Sequence, residues 1–243
     1  MRVELPEKNC ILCDGMAEVK DGILYIYRAG AFKTVMYELT YLLYGRDECF
    51  YCHRRLDKEK SKKDSNYFSK ITLDHLIPQT FGGPTIPNNM RPTCCKCNEE
   101  KENMYMDEYE KFKALKSDSS KEAKEALIKF KKQVEEKKKR RYYGEIKSLP
   151  EEWICHDEIK NIYANFCIMQ PLGLTYERLK RFFRQYKRLQ KTIIISENRF
   201  LLDGFNIILL SKYEKEPLQI IILENVISVS YTHLRAHETT LHL

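Results

Sequence analysis

No stretch of this chain approaches the ~20 consecutive apolar residues that a membrane-spanning helix needs. The best candidate, residues 192–210, is broken by Glu197, Arg199 and Asp203. The amino terminus, MRVELPEKN, lacks the apolar core of a secretory signal, so export has no support and a cytoplasmic location is expected. No internal repeat is present. A disulfide framework is also missing: the nine Cys are odd in number and include short C-x2-C spacings, which point to metal binding rather than cross-linking. What the chain does have is enough apolar material for a core. Of 243 residues, 43% are hydrophobic and 32% charged, which excludes wholesale disorder.

The net charge of +7 favours polyanionic partners without specifying one. It is unevenly spread: residues 1–48 carry −2, 49–104 carry +3, 105–148 carry +5 and 149–228 carry +1. These shifts suggest an N-terminal hairpin and helix (1–48), a Cys-rich domain (49–104), a basic helical arm (105–148) and a small α/β accessory domain (149–228). Asp21-Gly22 between apolar runs predicts a β-hairpin over 19–27. Phe32, Val35, Met36, Leu39, Leu42 and Leu43 then recur at helical spacing up to Tyr44. A charged insert at 57–66 reads as a mobile loop. Residues 71–104 read as a short strand, a Gly-Pro loop and a helix start. A long helix is expected over 120–141, another over 174–190, and strand, strand, helix, strand over 192–228.

Cys49-x2-Cys52 and Cys94-x2-Cys97 are the strongest chemical signal. Each C-x2-C turn offers two sulfurs to one point, and two such pairs satisfy the tetrahedral preference of Zn²⁺. Cys95 creates a register ambiguity, but only Cys94 stands at the two-residue spacing from Cys97. Cys10-x2-Cys13 is a third pair with no matching partner; buried incidental thiols suit it better than a second zinc. Cys155 and Cys167 read as core.

Between the two main pairs lies ITLDHLIPQTFGG, followed by PNNMRPTCCKCNEEK. Asp74-His75 ends an apolar strand, Asn89 follows fourteen residues after His75, and Asn98 nine residues later. Over about residues 40–105 this arrangement resembles the HNH endonuclease family, whose ββα-metal motif is held between zinc-binding Cys pairs. The third motif position is Asn98 rather than His, a variant found in active members. The resemblance implies an α+β fold and Mg²⁺- or Mn²⁺-dependent hydrolysis of DNA phosphodiesters to 5′-phosphate and 3′-hydroxyl. It also implies roles. His75 would be the general base, because imidazole titrates near neutrality. Asp74 and Asn98 would be hard oxygen ligands for Mg²⁺. Asn89 would hold the loop that orients His75, and zinc at Cys49, Cys52, Cys94 and Cys97 would be structural. One such site makes a nick, so a double-strand break would need a homodimer or a second visit. A catalytically silent, zinc-stabilised DNA-binding protein and a nuclease subunit delivered by a targeting partner are the alternatives.

DNA contacts are expected from Lys101, three residues past Asn98, and from the run Lys137, Lys138, Lys139, Arg140 and Arg141. A solvated helix face competes with that reading, and nothing offers a base-reading code. Residues 174–226 resemble the small ParB and sulfiredoxin-like fold, in which basic or His residues after an Asp-Gly hold nucleotide phosphate. Here Phe205, Asn206 and Ile207 follow Asp203-Gly204, so nucleotide binding does not carry over and the pair reads as a turn into a helix. Residues 229–239, VSYTHLRAHET, resemble the translation of a transposon-end sequencing adapter, and 229–243 are set aside as an artefactual tail. By family analogy, a phage, mobile-element or bacterial defence setting fits.

Overall fold

The computed structural model describes residues 1–28, 30–57, 67–142, 149–154, 192–204 and 220–229, with 177–178, 180–181, 184–185 and 207–208. The architecture is mixed α+β. Strand β1 (Cys10–Leu12) pairs antiparallel with β2 (Ala17–Lys20), and β2 with β3 (Ile23–Ile26). The β2–β3 connection is the expected hairpin. Asp21 and Gly22 adopt φ of 53° and 74°, the left-handed pair that a two-residue turn between twisted strands requires. Ala17, Val19, Leu24 and Ile26 face inward, as period-two alternation dictates.

Helix α1 (Phe32–Tyr44) lies over this sheet through Phe32, Val35, Met36 and Leu39, all buried. It stops where Gly45 turns to φ 77° and its N–H caps the Tyr41 carbonyl. Strands β4 (Ile71–His75) and β5 (Met90–Cys94) form an antiparallel hairpin in which His75 lies opposite Met90 and Ile71 opposite Cys94. Helix α2 (Cys95–Lys101) follows directly. Helices α3 (Met106–Ser117) and α4 (Lys121–Tyr142) then pack on each other.

Strands β6 (Ile193–Ser196), β7 (Leu201–Asp203) and β8 (Ile220–Leu223) form a second sheet in the order β7-β6-β8. The last strand, β9 (Val226–Ser228), leaves it and pairs parallel with β3, Leu24 opposite Val226. The expectation of three strands over 192–228 therefore needs a fourth. The chain start closes the same region: the Met1 ammonium bonds the Ile222 carbonyl at 3.0 Å and Glu224 at 2.7 Å. Residues from 1–48 and from 193–226 thus contribute to one hydrophobic core, together with Ile86 and Met90 of the β4–β5 region. A second core gathers Cys49, Tyr51, Cys94, Cys97, Tyr109, Phe112 and Phe130 on the other side of that hairpin. The expected helix over 174–190 and the insert over 57–66 fall mostly outside the described residues, as do Cys155, Cys167 and the tail from 230 onward.

Candidate active site and metal centre

Four sulfurs converge first. Cys49 starts a tight turn in which the His53 N–H donates to the Cys49 carbonyl, and Phe50 N–H ties the turn to Pro92 of β5. Cys94 ends β5 and caps α2, and Cys97 lies in the first turn of that helix. The ligand atoms of Cys49, Cys52, Cys94 and Cys97 all lie within 4.8 Å of one another, and the Cys52 and Cys94 sulfurs are 3.7 Å apart. Four sulfurs at 2.3 Å from a tetrahedral zinc have edges of about 3.8 Å, so the cluster fits structural Zn²⁺. Cys95 is outside it, its thiol donating to Glu99 at 3.2 Å, which resolves the register in favour of Cys94.

Hydrogen bonds from the Cys94 and Cys97 thiols hold Cys49 far below the usual thiol range, and the Cys49 thiolate in turn pushes Cys94 up to about 11. A bound dication removes that competition by ionising the set. Cys13 belongs elsewhere: its N–H and thiol both reach Glu38 at 2.9 Å, and burial with that carboxylate pushes the thiol up to about 12. Among the described residues Cys10 and Cys13 join no metal-holding group.

The hairpin and α2 carry the motif residues. Asp74 is 4% exposed. Its Oδ2 accepts from the Tyr51 hydroxyl at 2.6 Å and pairs with the Lys101 ammonium at 3.0 Å. Burial pushes the Asp74 carboxyl up, an effect opposed by the Lys101 charge, and burial lowers Lys101, opposed by Asp74. Asn98 donates through Nδ2 to Thr72 Oγ1 at 3.1 Å and to the Leu73 carbonyl at 3.3 Å. Both contacts use the nitrogen, and among the described residues no protein group bonds the side-chain oxygen.

His75 is half-buried. Its Nε2 lies 3.2 Å from the Gln79 amide nitrogen and 3.1 Å from Thr85 Oγ1. Gln79 and Thr85 thus hold the Nε2 edge of the ring. Asn89, 1% exposed, accepts from Ile77 N–H at 2.8 Å and donates to Ile77 O at 3.1 Å and Pro84 O at 3.0 Å. The loop between His75 and β5 is thereby closed on itself. Gly83 permits this approach: a Cβ there would sit 1.8 Å from the Ile77 carbonyl oxygen.

Two of the expected DNA contacts have protein partners of their own. Lys101 has no exposed surface. Its ammonium bonds Asp74 and, at 2.8 Å, the His75 carbonyl, so it cannot reach a phosphate. Lys137 pairs with Glu108 at 2.6 Å and sits 4.0 Å over the Tyr105 ring, which itself packs on Phe81. It bolts α4 to the turn that carries Gln79 instead of projecting outward. Lys139 and Arg140 are exposed and Lys138 half-buried; the Arg141 side chain lies outside the described residues.

Gln79, Thr85 and Tyr51 were not singled out by the sequence, while Gly83 was read only as part of a loop turn. Gln79 stands four residues from His75 and Tyr51 sits inside the first Cys pair, the local signals that could have found them.

Hairpin, capping helix and thiol cluster together define a ββα-metal unit. Residues 49–112, 64 of the 243 residues, match the HNH endonuclease family, and the four-cysteine cluster lies within that segment. No curated protein and no solved structure matches the chain. The family match supports a nuclease-type function with DNA as substrate. Among the described residues no helix is long and apolar enough to cross a membrane.

Proposed function

We propose that the chain is a divalent-metal-dependent endonuclease that hydrolyses DNA phosphodiester bonds one strand at a time. One observation carries this reading: a single hairpin–helix unit bears an imidazole, a carboxylate and an amide oxygen that no described group bonds, with a thiol cluster at the start of its helix. Asp74 and the Asn98 oxygen are the hard donors that Mg²⁺ or Mn²⁺ prefers, and among the described residues no protein group bonds that Asn98 oxygen. Once bound, the ion supplies Lewis-acid stabilisation of charge on the phosphoryl and leaving oxygens.

The protein's own residues do the rest. His75 accepts the proton of the attacking water at Nε2, the water taking the place of the Gln79 amide. As the water oxygen bonds to phosphorus, the P–O3′ bond breaks and the 3′ oxygen collects a proton from solvent. Asn89 and Gly83 keep the loop closed, so the imidazole does not swing. Lys138, Lys139 and Arg140 lie along the backbone of the duplex, adding salt-dependent, sequence-independent affinity.

A second reading, a silent DNA-binding module, draws on the burial of Asp74 against Lys101. Nicking of supercoiled plasmid with Mg²⁺ separates the two, comparing wild type with His75→Ala at matched zinc content. Open circles from wild type alone support the enzyme. Equal activity in both refutes His75 as the base. Steep, salt-dependent DNA binding without cleavage in either favours the silent module or a partner-delivered subunit.

A further inference from the structure

The ion pair inside the HNH domain bears on how a catalytic cation could enter. Asp74 and Lys101 are 4% and 0% exposed, and their 3.0 Å contact is backed by the Tyr51 hydroxyl on the same carboxylate oxygen. Lys101 is four residues beyond Cys97 on α2, so the thiol cluster that fixes this helix also delivers the ammonium. Its second bond, to the His75 carbonyl, ties both motif residues to one charge. Nearby acids are already neutralised: Glu108 pairs with Lys137 and Glu100 with Lys116, each at 2.6 Å.

A hard dication needs anionic oxygen to offset its lost hydration. Asp74 with Lys101 offers none in net terms, and Asn98 is neutral. The anion that is missing is the one a nucleic-acid substrate brings. Resting on the endonuclease reading, we infer that Lys101 is the resident counter-cation of Asp74, and that the divalent ion loads only together with substrate phosphate. Lys101 is thus a positioning residue. It keeps the buried carboxylate oriented while the site is empty of substrate, and it suppresses idle occupancy by the abundant cation.

The test is Mn²⁺ binding to the full chain, read from loss of the free-ion electron paramagnetic resonance signal. Zinc is pre-loaded in the thiol site, where Mn²⁺ does not compete. A duplex oligonucleotide with phosphorothioate linkages along one strand serves as the slowly cleaved probe. Wild type is expected to bind Mn²⁺ weakly alone and at least about tenfold more tightly with the duplex, as a close charge at low effective dielectric warrants. Lys101→Gln keeps a donor for Asp74 and His75 but drops the charge. It is expected to bind Mn²⁺ about tenfold more tightly than wild type without any duplex. Tyr51→Phe changes no charge and should leave the duplex-free affinity near wild type.

Zinc content and circular dichroism confirm that each variant is folded, with Lys101→Met as the second charge-free variant. Equal Mn²⁺ affinity with and without bound duplex would overturn the proposal, as would folded Lys101→Gln and Lys101→Met with no gain. Duplex binding by fluorescence anisotropy is measured in parallel. A chain that binds no duplex defeats the endonuclease reading, while the duplex-free comparison of variants still decides the role of Lys101.

Discussion

Asn89 offers the sharpest test of how the loop after His75 is built. Its side chain makes three hydrogen bonds to main chain: one accepted from Ile77 N–H and two donated, to Ile77 O and Pro84 O. Asn89→Ala removes all three and strands those backbone groups in a region where Asn89 itself is 1% exposed. A net hydrogen bond is worth about 1 kcal/mol, and a buried group left unpaired costs about 1–3 kcal/mol. Water can reach part of a surface loop, so a loss of about 3 kcal/mol is expected.

Asn89→Asp is the discriminating variant. It retains the oxygen that accepts from Ile77 N–H but turns the second atom from a donor into an anion about 3 Å from two carbonyl oxygens. A conservative substitution by size should therefore cost as much as alanine, or more, at neutral pH. Urea denaturation with zinc present gives the global change, and amide exchange at Leu76 and Ile77 gives the local one. The reasoning is refuted if Asn89→Asp stays within about 1 kcal/mol of wild type and Ile77 exchange is unchanged.

Other outcomes follow from the same geometry. Gly83→Ala places a methyl against the Ile77 carbonyl at 1.8 Å, so the loop must open; nicking should fall at least about a hundredfold while zinc content holds. Glu102 closes α2 at φ 47°, ψ −114°, a strained conformation for a side-chain-bearing residue. Relief of about 1–3 kcal/mol of strain, less the added unfolded-chain entropy of glycine, predicts that Glu102→Gly stabilises by about 1 kcal/mol. For a chain of this size that is a rise in melting temperature of about 2–4 °C, checked by calorimetry. Mercurial titration should release one zinc per chain; Cys97→Ser should abolish it and Cys95→Ser should leave it intact. An isolated 49–112 fragment should bind zinc yet fail to protect the β4–β5 amides from exchange, because Ile86 and Met90 lose the core they pack into.

What was legible in the sequence is what is local. Asp21-Gly22 announced its hairpin through turn chemistry, α1 through its apolar period, and the thiol cluster through paired two-residue spacings. Helix α3 escaped because its short buried stripe, Tyr109 and Phe112, is embedded in a charged segment. The β3–β9 pairing joins residues about 200 positions apart in parallel, and no local pattern encodes a partner at that distance. Lys101 and Lys137 show the limit for site residues. A lysine in sequence reads as solvent-facing, and only the tertiary placement of Asp74 makes Lys101 internal and that of Glu108 draws Lys137 into an ion pair.

The β4–β5 hairpin is the wall between the two cores, and this explains why so much of the chain bears on so small a site. Ile86 and Met90 pack with the N-terminal sheet, α1 and β8, while Cys94 packs with the thiol cluster, Tyr109 and Phe130. His75 and Asp74 are adjacent at the end of β4, and their side chains find different partners. One reaches the loop closed by Asn89, the other reaches Tyr51 and Lys101. Each reactive group is therefore positioned by a different body of packing, and the strand between them fixes their separation. Loosening either core shifts one group relative to the other, so the segments outside the HNH match are part of what sets the geometry of the candidate site.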